Sequence, residues 1–257
     1  MVEDIGWEES FANSTDRRCS TNYDDTSSAL VVRGIIKRKY IRAAESQNRD
    51  FYYMDTGYFG NFSSPGNPGG KKIWHRVVKN ELQKSVIEDF PPDRWNALVK
   101  SDPRLAWKGW KTPGDKILVV IPNPKSCDFF GIDYEEWKHS TIQTIKKFTD
   151  KTIVIREKGS RSQRQHYSIY DALDDGVFAT VAFNSIAAIE SIAYGVPAFV
   201  SVSCAASPLA ETDLTKINSP YYPNEKLIQQ HCRSLAYGQF TAEEIDNGTA
   251  WKILKKD

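Results

Sequence analysis

The residues best suited to chemistry in this chain are Asn184, Ser185 and Glu190, which stand in the stretch AFNSIAAIESIAYGVP. Asn and Ser are residue types that cap a helix with a side-chain oxygen, and the backbone N–H groups at the start of a helix form a natural anion site. Glu190 follows Ser185 by five residues, on the next helical turn. A carboxylate there could accept hydrogen bonds from ribose hydroxyls while the helix start holds phosphates.

These three side chains are predicted to lie in a strand–helix–strand unit. Val177–Phe183 is a short apolar run typical of a strand buried on both faces, Ile186–Tyr194 is a helix of small residues, and Ala198–Val202 starts a second strand. Gly195 is placed to follow the helix end. Such a unit implies a parallel sheet. An ordinary crossover with a capping serine is the alternative, and the carboxylate of Glu190 among Ala and Ile is the main argument against it.

The pattern N-S-x-x-x-x-E-S-x-x-x-G-x-P between two strands resembles the donor-binding segment of GT-B glycosyltransferases, especially the capsule-polysaccharide and lipopolysaccharide type. The resemblance covers residues from about 116 to 239. It implies that Ser185, with Asn184 beside it, meets the diphosphate of a nucleotide-sugar and that Glu190 meets the ribose. It also implies an α/β fold with two Rossmann-like domains whose parallel sheets face a cleft.

The same resemblance points to a second donor contact after the predicted strand Thr152–Lys158. Capsule-type relatives place a basic residue there, often with His and Pro, to meet phosphate. This chain has no His-Pro at that place, so Arg156 and Lys158 are assigned by position and charge only, and a solvated turn is the alternative. Electrostatic stabilisation of a leaving nucleotide needs no metal. The prediction is therefore a metal-independent enzyme with no metal ligands and no cofactor beyond its nucleotide-sugar substrate.

Two residues of the N-terminal half are candidates for the base that takes the acceptor proton. Asp55 follows the predicted strand Phe51–Met54, and ligands of open α/β sheets gather at the carboxyl ends of strands. His75 lies in Lys71–Val78, which reads as a strand or a helix start, and imidazole titrates near neutrality. A structural histidine beside Trp74 is the alternative. Asp55 is the first choice and His75 the second.

The remaining predicted elements set the domain organisation. The chain of 257 residues has room for one large or two small domains. We predict an acceptor-side domain at 1–114, a nucleotide-sugar-binding domain at 115–240, and a C-terminal helix at 241–257 that can cross back to the first domain. Further strands are expected at Ala29–Val32 and Lys116–Pro122, and further helices at Ile35–Gln47, Asp133–Phe148, Tyr167–Leu173, Glu225–Tyr237 and Thr241–Leu254.

Cysteine spacing and hydropathy bear on location. Four cysteines lie far apart without C-x-x-C spacing, which indicates neither a zinc site nor a disulfide framework. The first residues lack the apolar region of a signal peptide, and nothing approaches a transmembrane span. A cytoplasmic location is expected.

The predicted function is transfer of a sugar from a nucleotide-sugar to an acceptor hydroxyl on a glycan or on a hydroxymethylated DNA base. The basic stretches Arg33–Arg42 and Lys71–Lys84 suit a phosphate-rich acceptor, whereas the net charge of +1 argues against tight DNA binding and favours a glycan. Two alternatives stay open. One is a non-catalytic nucleotide-binding α/β protein, and the other is a sugar-nucleotide epimerase, which shares the fold and the donor site.

Overall fold

The computed structural model describes residues 11–12, 29–61, 64–65, 67, 73–111, 114–157 and 168–255. The strands of this described part are β1 Ala29–Arg33, β2 Asp50–Thr56, β3 His75–Lys79, β4 Lys116–Val120, β5 Thr152–Arg156, β6 Val177–Ala182, β7 Ala198–Val200 and β8 Gln239–Phe240. Its α-helices are α1 Arg38–Ser46, α2 Asp93–Ser101, α3 Pro124–Phe129, α4 Tyr134–Phe148, α5 Ile169–Leu173, α6 Ile186–Ala193, α7 Glu225–Ala236, α8 Ala242–Asp246 and α9 Thr249–Leu254. Short 3-10 turns follow β1, α2 and β7.

The second sheet is parallel, as the sequence predicts. Its strand order is β5-β4-β6-β7, and every neighbouring pair runs in the same direction. Ile117 to Val120 of β4 are all buried, because helices cover both faces of such a sheet. The α/β class with a parallel C-terminal sheet is therefore confirmed, whereas the organisation of the chain into two domains stays a prediction.

The first sheet is mixed, so the prediction of parallel sheets in both halves is wrong here. Its order is β1-β2-β3-β8, where β1 and β2 are parallel but β3 runs antiparallel to both β2 and β8. The chain returns from β2 to β3 without a crossover helix among its described residues, and an antiparallel return needs none. Asn61 stabilises this return, since its side-chain oxygen accepts hydrogen bonds from the backbone N–H groups of Ile73 (2.8 Å) and Trp74 (2.9 Å).

The C-terminal chain packs on the first sheet. Strand β8 pairs with β3, and Ile245, Trp251 and Leu254 join Tyr52 and Met54 in one buried cluster. Thr241 and Glu244 form a capping box at the start of α8, but the single helix predicted over 241–254 is two helices. They are separated where Gly248 takes a left-handed backbone angle (φ 78°), which interrupts an α-helix.

A large apolar core joins the two halves. Phe59 and Trp95 of the first half share one buried cluster with Leu118 and Ile189 of the second. The carboxyl ends of β4, β5 and β6 are thereby held opposite the carboxyl end of β2.

Candidate functional site

A cavity of about 350 Å³ lies where these strand ends meet. Residues of the first half on its wall include Tyr53, Asp55, Thr56, Arg76 and Gln83, and residues of the second half include Asn123, Ser126, Arg156, Asn184, Ser185 and Glu190. The volume lies within the range of small-molecule sites. The structure therefore brings most of the predicted site residues to one place.

Ser185 begins helix α6 at the cavity wall. Its hydroxyl oxygen accepts a hydrogen bond from the backbone N–H of Ala187 (3.2 Å), so the serine caps the helix as predicted. Behind it, the buried hydroxyl of Ser191 donates to the carbonyl of Ala187 (2.7 Å) and pairs with the hydroxyl of Thr180 on β6 (2.9 Å). The start of α6 is thus fixed against β6, with its positive end toward the cavity.

Asn184 is held from both halves of the protein. Its side-chain oxygen accepts from the hydroxyl of Ser126 (3.0 Å), and its backbone carbonyl accepts from the side-chain amide of Gln83 (2.7 Å). Ser126 belongs to the short helix α3 after β4, a segment that lines the cavity. The side chain of Asn184 therefore orders the turn that carries Ser185.

Glu190 opens onto the cavity from the second turn of α6. Burial raises the pKa of its carboxyl to about 8, while the cations Arg156 and Arg104 lower it and Asp102 raises it. Arg156 is the last residue of β5 and lines the cavity, at the strand end where the sequence placed it. Lys158 lies outside the described residues, so its assignment stays a prediction.

Arg104 is a cavity residue that sequence reasoning missed. Its guanidinium binds the carboxylate of Asp102 with two hydrogen bonds (2.8 and 2.7 Å) and lies over the ring of Tyr170, 4.4 Å from the centroid. The segment around it is rich in Pro and Trp and has no periodicity. The pair Asp102-Pro103 is an ordinary turn signal, so the sequence predicts a turn at this place but does not indicate a binding site.

The raised pKa of Glu190 predicts how stability depends on pH. In the unfolded chain this carboxyl ionises near its usual value of 4.5, whereas in the folded protein it keeps its proton up to about 8. Between these values the folded state binds more protons, so the free energy of unfolding falls as pH rises, by up to about 5 kcal/mol in total. In Glu190→Gln the side chain is neutral at every pH, so the free energy of unfolding does not fall for this reason. Denaturant unfolding from about pH 5 to about pH 9 should show a growing advantage of E190Q, and parallel curves for the two proteins would contradict it.

Asp55 lies at the cavity and His75 does not line it. The carboxylate of Asp55 accepts hydrogen bonds from the hydroxyl of Tyr53 (3.0 Å) and the backbone N–H of Thr56 (2.7 Å), and it pairs with the guanidinium of Arg76 (3.3 Å). Burial and the charge of Asp55 raise the pKa of Tyr53, which keeps that phenol a donor. His75 is buried in β3, and its neighbour Arg76 reaches the cavity instead. Of the two candidate bases, Asp55 is therefore the one on the cavity wall, and its role as the base stays a prediction.

Within the described part of the chain, no group of three or more His, Cys, Asp or Glu side chains is arranged to hold a metal ion. The helices described there are also too short or too polar to cross a membrane. Cys127, Cys204 and Cys232 are buried free thiols.

Comparison with known proteins gives similarity at the level of structure alone. No protein-family model matches the chain, and no curated protein matches it by sequence. Among solved structures, the beta Kdo 2,7 transferase of Thermosulfurimonas dismutans KpsC is similar with a TM-score of 0.51 and 13% identity, over 89% of this chain and 85% of that one. The beta Kdo 2,4 transferase of the same KpsC gives a TM-score of 0.49 and 12% identity, over 83% and 81%. The first of these likenesses shows that the chain has a glycosyltransferase-like fold.

Proposed function

We propose that this protein is a glycosyltransferase that moves a sugar from a nucleotide-sugar donor to a hydroxyl of a glycan acceptor. The observation that carries the proposal is the cavity itself. It presents a capped helix start, a cation and a half-buried carboxyl on one wall, at Ser185, Arg156 and Glu190, and a hydrogen-bonded carboxylate, Asp55, on the other. The similar 2,7 transferase bears the name of a Kdo sugar transferase, which supports this reaction class.

The donor would bind to the wall formed by the second half. The backbone N–H groups at the start of α6 and the hydroxyl of Ser185 would hold the phosphate oxygens. Glu190 would hydrogen-bond the ribose hydroxyls. Arg156, with Lys158 beyond the end of β5, would neutralise negative charge as the nucleotide leaves. This electrostatic stabilisation acts directly on the leaving group and is the main source of rate that we propose, without a metal.

The acceptor would bind on the side of Asp55. The hydroxyl oxygen of the acceptor would attack the anomeric carbon of the donor sugar, and the bond from that carbon to the nucleotide phosphate would break. The proton of the acceptor hydroxyl would pass to the carboxylate of Asp55. Arg76 keeps this carboxylate in place on the cavity wall. We propose a glycan rather than a DNA base as acceptor, because the net charge of +1 offers little attraction for a polyanion.

The test is an assay of nucleotide release from UDP-, GDP-, CMP-, TDP- and ADP-sugars, with a Kdo donor among them and with a panel of glycan acceptors. We expect one donor to release its nucleotide only when an acceptor is present, together with an acceptor of increased mass. Release of free epimerised sugar without an acceptor would identify an epimerase. A nucleotide that binds tightly without any turnover would identify a non-catalytic binding protein.

A further inference from the structure

The segment from Leu82 to Lys84 is anchored to the first half of the protein. The guanidinium of Arg76 donates from Nε to the carbonyl of Leu82 (3.0 Å), and the backbone N–H of Lys84 donates to the hydroxyl of Tyr58 (2.8 Å). Arg76 is only 5% exposed, and it also donates to the carbonyl of Thr56 (2.5 Å). The position of this segment is therefore set by β3, which carries Arg76 and is paired with β2, and by Tyr58, which lies two residues beyond β2.

Gln83, between the two anchors, extends across to the second half. Its side-chain amide donates from Nε2 to the carbonyl of Asn184 (2.7 Å), and its Oε1 accepts from the backbone N–H of Ala205 (3.1 Å). Gln83 is 8% exposed. One buried side chain thus bonds both the turn before α6 and the loop after β7.

The loop that Gln83 reaches is itself firmly held. The carbonyl of Ala205 is hydrogen-bonded to Nε2 of the buried His231 on α7 (2.5 Å), and Cys204 and Ala205 are fully buried. Gln83 is therefore fastened to a rigid part of the second half.

The hydrogen bonds form a path between the two walls of the cavity. It runs from Asp55 through Arg76 to the carbonyl of Leu82, then through Gln83 to Asn184 and on to the hydroxyl of Ser126. A glutamine suits the crossing point because the site requires one donor and one acceptor from the same side chain. Glutamate would supply only acceptors when ionised, and methionine would fill the space without either bond.

We propose that Gln83 is a positioning residue that fixes the distance between the donor turn at Asn184–Ser185 and the base Asp55. This inference rests on the proposed function. It follows from the geometry because the bonds of Gln83 join the two elements whose separation determines whether donor and base meet the same acceptor hydroxyl. A misplacement of about 1 Å can cost about 100-fold in rate.

The experiment compares Gln83→Met with a matched control, Gln143→Met, which changes an exposed glutamine on α4. We expect Q83M to lower kcat by about 10- to 100-fold. Nucleotide affinity should change by less than about threefold, because the donor turn keeps its contacts within the second half, from Ser126 to Asn184 and from Ala187 to Ser185. Q143M should change neither quantity. A loss of affinity that accounts for the whole effect of Q83M would overturn the proposal.

A double-mutant cycle with Asp55→Asn separates positioning from a general structural role. When Asp55 can no longer take the proton, its placement matters little, so adding Q83M to D55N should cost less than about threefold. The same large factor in both backgrounds would overturn the proposal, because Gln83 would then act independently of Asp55.

Amide hydrogen exchange tests, without any enzymatic reaction, whether Gln83 is hydrogen-bonded to the second half. Q83M removes the acceptor of the Ala205 N–H, so exchange at this amide should become faster in Q83M and remain unchanged in Q143M. Unchanged exchange in Q83M would contradict the hydrogen bond from Ala205 to Gln83. If the wild-type protein transfers no sugar, the proposed function fails and the catalytic part of this inference fails with it, while the exchange experiment still decides whether Gln83 joins the two halves.

Discussion

Replacing Asp55 by Asn is expected to lower the rate of sugar transfer by about 100- to 10,000-fold, the usual contribution of a general base. The amide keeps the shape of the carboxylate, and its one oxygen can still accept from the backbone N–H of Thr56. Its NH2 group cannot accept from Tyr53 or Arg76, and the amide cannot take the acceptor proton. The donor wall lies on the other half, so nucleotide affinity should stay the same. Steady-state kinetics and a nucleotide titration of D55N measure the two quantities.

Two control variants make the Asp55 result specific. Asp50→Asn changes a carboxylate at the other end of β2, paired with Lys79 (3.1 Å) away from the cavity, and should leave the rate unchanged. His75→Gln changes the second candidate base. If H75Q loses as much activity as D55N while remaining folded, the choice of Asp55 over His75 is contradicted.

Replacing Gly195 by Ala is expected to lower the free energy of unfolding by more than about 2 kcal/mol. This glycine lies two residues beyond the end of α6 and has a backbone angle of φ 90°, which an L side chain rarely adopts. A Cβ at this position would also lie 2.3 Å from the carbonyl oxygen of Gly109. The carbonyl of Gly195 accepts from the N–H of Lys111 (2.7 Å), so the two segments cannot simply separate. Urea unfolding of G195A measures the loss.

Gly131→Ala is the matched control for this prediction. Gly131 also has a positive backbone angle (φ 69°), but a Cβ there would have nothing within 4 Å. G131A should therefore show the cost of the backbone angle alone, about 1–2 kcal/mol. Equal losses in G131A and G195A would contradict the account, because the close approach of Gly109 to Gly195 would then cost nothing.

The second sheet could be predicted from sequence because each of its elements has a local signal. Strands β4 and β6 are continuous apolar runs, and α6 has both a capping serine and a glycine at its end. The first sheet could be predicted only in part, since strands were expected at Ala29–Val32 and Phe51–Met54, where β1 and β2 lie. Strand β8 has only two residues, too few to show any periodicity, and its pairing with β3 joins distant parts of the chain.

The residues of the candidate site also differ in whether a local sequence pattern marks them. Ser185 and Asp55 could be proposed from sequence because each follows a recognisable strand, and Glu190 because a carboxylate is unusual in a helix of Ala and Ile. Arg76 and Gln83 were not predicted, since the role of each arises from contacts that no local pattern marks: Arg76 bonds across its own sheet to Asp55, and Gln83 bonds across to the second half. Neighbouring residues of a strand point to opposite faces, so only a defined strand shows whether His75 or Arg76 faces the cavity. The sequence left that segment open between strand and helix.

The most direct test of the central claim is calorimetric titration of the wild-type protein with UDP, GDP, CMP, TDP and ADP, with and without a divalent metal. We expect one nucleotide to bind without metal. We also expect Glu190→Ala and Ser185→Ala each to weaken this binding, by about tenfold for a lost hydrogen bond, in proteins that remain folded. Absence of binding by every nucleotide, or binding that neither substitution weakens, would contradict the assignment of the cavity as a nucleotide-sugar site.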